Sequence, residues 1–103
     1  MKIEWRVKMA IYKSGEAIVK FSLLKTTDTR KLYNFIVNIQ GNEDFVFNGE
    51  DYSCPISWSD EQIASDMFNW ALDMSMEGDL DLLNAIAFNE YVGNENTPLV
   101  EQI

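Results

Sequence analysis

Two hydrophobic periods divide this chain, and the division constrains its fold more than any single residue does. Over residues 2–12, Ile3, Trp5, Val7, Met9 and Ile11 alternate with Lys2, Glu4, Arg6 and Lys8. A period of two places one face of a strand on a core and the other in water. Lys13-Ser14-Gly15-Glu16 is a turn signal, and residues 17–24 alternate again, with Ala17, Val19, Phe21 and Leu23 opposite Lys20 and Ser22. The two segments are expected to pair as an antiparallel hairpin with a basic outer face. Residues 31–40 fit two templates. Tyr33, Phe35, Val37 and Ile39 alternate, while Leu32, Phe35, Ile36 and Ile39 match helical spacing between Asp28 and Gly41. The β-branched and aromatic content decides for a strand. Gly41 to Asp44 reads as a turn, Phe45-Val46-Phe47 as a short strand, Asn48-Gly49 as a tight turn, and Tyr52 to Ile56 as a further short strand limited by Pro55.

The second half changes period. Ser59 and Gln62 form a capping box, and Asp60 and Glu61 suit the positive end of a helix dipole. Ile63, Met67, Trp70 and Met74 then recur at helical spacing, backed by Ala64 and Ala71, with Gly78 as the stop. Asp79 caps a second helix with Leu83, Ile86 and Ala87 inward, Tyr91 near its end and Gly93 closing it. Leu99-Val100 lies in a tail that docks or frays. The expected fold class is α+β: an antiparallel sheet of three to five strands followed by two C-terminal helices packed on one face. One domain over 1–103 is expected, with strands mainly in 1–56, two helices in 59–92 and a tail in 93–103.

Several chemistries are closed to this sequence. It has no histidine, which removes Ser-His and Cys-His nucleophile pairs and histidine-bearing zinc sites. Cys54 is its single cysteine, so no internal disulfide forms and a reducing cytoplasm is the simplest setting. The five glycines stand apart and make no phosphate loop. The N-terminal segment alternates and lacks the apolar stretch of a signal peptide, and no apolar run approaches the roughly 20 residues of a membrane helix. Carboxylate-only catalysis stays open in principle, but no pair of acids is singled out. The expectation is a non-enzymatic protein without a cofactor or a metal.

Charge is distributed unevenly. All eight basic residues lie at or before Lys31 with three acids, a balance of +5. From Leu32 to Ile103 the remaining fourteen acids meet no Lys or Arg, a balance of −14, and the whole carries −9. A solvated acidic surface that aids solubility explains part of this. The sharper reading is a basic partner, with direct nucleic-acid contact disfavoured because phosphates are repelled.

Three candidate sites follow. Asp66, Asn69, Asp73 and Glu77 are spaced 3, 4 and 4 residues apart, along the side of the first helix away from its apolar stripe. Asp73 and Glu77 lie about 6 Å apart along the axis, with Asp66 about 10 Å beyond Asp73. Like charges at this spacing repel by a few tenths of a kcal/mol, and no lysine after residue 31 relieves them. Asp79 and Asp81 extend the acidic surface. The second candidate, Asp73 to Asn84, resembles an EF-hand calcium loop, with oxygen donors at places one, three, five and nine and Gly78 at the sixth. It departs at the twelfth place, where Asn84 replaces the bidentate glutamate, and a helix stop followed by a cap explains the same residues. The third is aromatic: Trp58 precedes the helix cap, belongs to neither apolar stripe, and is the tryptophan expected to be exposed as an interface anchor.

In size, acidity and lack of catalytic residues the chain is similar to small phage-encoded inhibitors of the anti-CRISPR and anti-restriction type, some of which act as DNA mimics. Nuclease-toxin immunity proteins are a related class. The resemblance implies a cytoplasmic binding protein whose acidic helical half occupies the basic surface of a nucleic-acid-handling effector or nuclease. Partner-binding residues would be Asp66, Asn69, Asp73, Glu77, Asp79, Asp81 and Trp58, with no membrane and no nucleic acid contacted directly. Two alternatives stand beside it. One is an assembly protein pairing through its oppositely charged halves; the other is a degenerate EF-hand-like calcium module. The sequence leaves the oligomeric state open.

Overall fold

Alternating apolar residues do build strands, and they extend further than their local signals suggest. The computed structural model describes residues 9–74, 79–88 and 98–103. Strands β1 (Met9–Ser14), β2 (Ala17–Thr26), β3 (Arg30–Ile39) and β4 (Asn42–Pro55) form a meander. Helices α1 (Asp60–Met74) and α2 (Asp79–Ala85) follow, and β5 (Glu101–Gln102) returns to pair with β1. The sheet is antiparallel throughout, in the order β4-β3-β2-β1-β5. The class is α+β as expected, but the helices are not the last elements, because β5 closes the chain.

Residues 31–40 resolve as strand. Between β2 and β4, the β3 backbone groups find partners on both sides, which an isolated helix could not offer to the sheet. Tyr33, Phe35, Val37 and Ile39 are all buried, as their alternation requires. The phase of β1 is the reverse of the expected one. Tyr12 and Ser14 are buried, Met9 is exposed and Ile11 only half-buried. A period of two has two phases, and a shift of one residue exchanges faces. Here Ser14 fixes the inner phase, since its hydroxyl both donates to the Ala87 carbonyl (3.0 Å) and accepts from the Ala87 N–H (3.2 Å). Residues Ile3, Trp5 and Val7, expected in the same core, lie outside the described residues. Leu23, expected inward, is exposed beside an irregularity in the β2–β3 register.

Asn48-Gly49 is not a turn. β4 runs through it, with Gly49 opposite Phe35. A Cβ at Gly49 would fall within the Phe35 ring, so glycine serves close approach here instead of reversal. A bulge follows at Glu50-Asp51, where Asp51 adopts φ 57° and re-aims Tyr52 inward. The reversal signal at Gly15 is genuine. This glycine takes φ +60° in a two-residue hairpin, and the Ala85 carbonyl packs where its side chain would stand.

The capping box of α1 forms in both directions: the Ser59 N–H donates to Gln62 Oε1 (2.9 Å) and the Gln62 N–H to Ser59 Oγ (3.2 Å). α1 touches β1, β2, β3 and β4, burying Ile63, Ala64, Met67, Phe68 and Ala71. Its inward face is rotated from the expected stripe. Phe68 is fully buried, Trp70 is 36% exposed and Met74 61% exposed. Trp70 packs at the rim, its ring edge-on to Tyr52 (5.4 Å) and Phe35 (6.1 Å). On α2 Leu82 and Ala85 are buried, and Leu83, expected inward, is exposed. Ile63, Ala64, Met67, Phe68, Ala71 and Leu82 belong with Tyr12, Val19, Phe21, Tyr52 and Cys54 to one core cluster.

Candidate functional site

The rotation of α1 decides which polar residues reach solvent. With Ile63, Ala64, Met67, Phe68 and Ala71 on the sheet, the opposite side presents Glu61, Gln62, Ser65, Asp66, Asn69 and Asp73. A shallow, open groove of about 600 Å³ runs along it, lined also by Trp58 and by Pro98, Leu99 and Val100. The chain's last segment is held there by Ser65 Oγ, which donates to the Pro98 carbonyl (3.2 Å), and by the Leu99 N–H, which donates to the Ala87 carbonyl (2.8 Å).

Three of the seven expected partner-binding residues meet in this groove: Trp58, Asp66 and Asn69. Trp58 is half-buried and packed against the core, so it is less exposed than its position before the cap implies. Its carbonyl accepts from Lys31 Nζ at 2.8 Å, which ties the helix entry to β3. Asp66 is half-buried and accepts a 2.6 Å hydrogen bond from the Tyr52 hydroxyl. That length belongs to a charge-assisted bond. Burial, reinforced by this bond and by the Asp66 charge, pushes the Tyr52 phenol above its ordinary value of 10.0. Asp66 is therefore a fixed acceptor built into the fold.

The remaining expected residues do not join the groove. Asp73 is exposed, two turns along α1 on the same side as Asp66. Asp81 is exposed on α2 and lines a separate depression of about 230 Å³, where Asn42 Nδ2 approaches its carboxylate at 3.4 Å. Asp79 begins α2, and its side chain and Glu77 lie outside the described residues. The stretch Asp73–Asn84 has its first two places in α1 and its seventh to twelfth in α2. The seventh and ninth places, which supply loop ligands in a calcium loop, are helical here, and the third to sixth lie outside the described residues. Among the described residues, no group of three or more acidic or cysteine side chains is placed to hold a metal.

Sequence reading missed the other half of the groove. Gln62 and Glu61 were visible only as capping and dipole residues, and Ser65, Pro98, Leu99 and Val100 carry no local signal. Their juxtaposition depends on the return of the chain to the β1 edge. Cys54, 1% exposed, has its thiol pushed above its ordinary value by burial, partly offset by Lys31 and Arg30, and points to no nucleophile. No helix among the described residues is long and apolar enough to cross a membrane. No protein-family model matches this sequence, and searches of curated proteins and of solved structures returned no significant match.

Proposed function

We propose that this protein is a small acidic binding protein of the cytoplasm that inhibits a nucleic-acid-handling protein by occupying its basic surface, as anti-CRISPR, anti-restriction or toxin-immunity proteins do. In this reading α1 and α2 together cover one face of the sheet and present the binding side to the partner. The observation that carries it is the solvent side of α1, where Glu61 and Asp66 line a groove, Asp73 stands exposed further along the helix, and among the described residues none of the three has a cation within ion-pair distance. Opposite fields accelerate encounter and make it salt-sensitive, and the same acids repel phosphate, so competition for a basic surface is the fitting mode.

The test is affinity capture from host cells at low salt with a salt-step elution. The captured protein is then assayed for nucleic-acid binding with and without the chain. The reading requires elution by salt and loss of nucleic-acid binding as the chain is added. Simultaneous binding of chain and nucleic acid would remove it.

One observation favours a second reading, assembly between copies. The open face of the sheet carries Met9, Ile36 and Val46, each at least 39% exposed, around Lys20. That face could receive the acidic side of another copy. Size-exclusion chromatography across salt separates the two readings: a charge-driven oligomer shrinks at high salt, whereas a monomeric inhibitor keeps its elution volume.

A further inference from the structure

We infer that the groove beside Trp58 is a receptor for the guanidinium group of an arginine side chain presented by a partner protein. The inference rests on the antagonist reading and deepens it by naming the side chain that the acidic side selects. The groove joins two chemistries that an arginine also joins. Trp58, Leu99 and their neighbours supply apolar walls, while Glu61 and Asp66 supply carboxylates. Among the described residues neither carboxylate has a cation within ion-pair distance. The ammonium of Lys31, which reaches this end of the helix, donates to the Trp58 carbonyl and forms no ion pair with either carboxylate.

Preorganisation favours a rigid, forked donor. The Tyr52 hydroxyl holds Asp66 through one oxygen, leaving the second oxygen and further lone pairs for an incoming donor. Asn69 lines the groove on the same side and carries an amide oxygen able to accept. A guanidinium offers five N–H donors in one plane, is weakly hydrated, and stacks on aromatic rings; an ammonium is a strongly hydrated point charge. The arginine stem suits the apolar wall, as long basic side chains cover apolar surface with their methylenes. The groove is shallow and open, so a side chain presented on another protein's surface reaches it without a channel to enter. A phosphate or an acidic peptide is excluded by the two carboxylates.

The experiment is an amide and indole N–H chemical-shift titration of the whole chain with capped pentapeptides of alanine bearing arginine, lysine or citrulline at the centre. Citrulline keeps the shape of arginine without its charge. The arginine peptide is expected to move the Trp58 indole signal and the Asn69 and Leu99 amides saturably, and to bind about tenfold more tightly than the citrulline peptide. The lysine peptide should fall between them. Glu61→Gln with Asp66→Asn should weaken the arginine peptide by a similar factor; asparagine still accepts from Tyr52, so the fold is kept. Shifts confined to another surface, equal affinity for arginine and citrulline, or equal affinity for arginine and lysine would each overturn the assignment. No target protein takes part, so its failure leaves the antagonist reading to the capture assay. Failure of that assay with arginine binding intact would remove the antagonist reading alone.

Discussion

Tyr52 is fully buried, and its hydroxyl finds one partner, the Asp66 carboxylate. Tyr52→Phe deletes a hydrogen bond to a charged group and leaves a half-buried carboxylate short of a donor, so it should cost about 1–3 kcal/mol by urea denaturation at neutral pH. The pH dependence has a definite sign. Burial raises the folded-state value above 10.0, while an unfolded tyrosine ionises near its ordinary value. The contribution is whole below pH 10 and is lost as pH rises from there towards the raised folded value. Tyr12 and Tyr33 shift the same way through burial, so wild type should weaken in alkali, and Tyr52→Phe should weaken less steeply. Equal losses between pH 8 and pH 11 would show that Tyr52 contributes nothing to that slope. The pair could not be read from the sequence. Tyr52 was legible as a strand residue and Asp66 as a surface acid, and their contact is tertiary.

At the scale of elements, the phase was legible for β2 and β3, whose expected inner residues Val19, Phe21, Phe35 and Val37 are buried, while for β1 and α1 the period was legible and the phase was not. Ile63, Met67, Trp70 and Met74 satisfy helical spacing, but so do Ile63, Ala64, Met67, Phe68 and Ala71. The set that covers four strands at once is the one that packs, and no local feature distinguishes them. Met67→Ala should cost about 2–5 kcal/mol, because its site is fully closed. Met74→Ala should stay within about 0.5 kcal/mol, as expected for an exposed side chain. Denaturant midpoints with unchanged slopes would measure both, and similar costs would restore the original stripe. The same limit produced the inverted face of β1, whose described inner residues include a serine. It also produced the broken reading of β4, in which Asn48-Gly49 looks like a reversal until Phe35 is seen to need the space. Signals that close within a few residues survived: the Gly15 turn, the Ser59–Gln62 cap and the alternation of β3.

For the whole molecule, the acids of α1 and Lys20 of the sheet lie on different sides, although Glu50 of β4 stands near Lys20. Lys20 stands on the open face of the sheet, while Glu61, Asp66 and Asp73 stand on the outer side of α1. That separation was legible in part, because cations are confined to the first 31 residues and both helices come after them, although β3 and β4 also lie beyond that boundary. The groove was not, because the tail supplies one of its walls. Stability and binding should therefore respond differently to neutralisation. Asp73 lies in the last turn of α1, where no basic residue offsets the dipole, so Asp73→Asn should leave the free domain unchanged or gain a few tenths of a kcal/mol. With Asp66→Asn and Glu77→Gln added, stability should fall by no more than about 1 kcal/mol, as the Tyr52 bond loses its charge assistance, while association with the captured partner slows, most strongly at low salt. Lys13→Gln with Lys20→Gln on the sheet should leave that association intact or faster, since the net charge becomes more negative. Stopped-flow or surface-based kinetics at two salt concentrations would measure both variants. If the acidic variant binds as fast and as tightly as wild type, the acid row is solvated surface and the antagonist must act through another face. If the lysine variant is the one that weakens, the open sheet face is the interface, and pairing between copies becomes the better account of the charge.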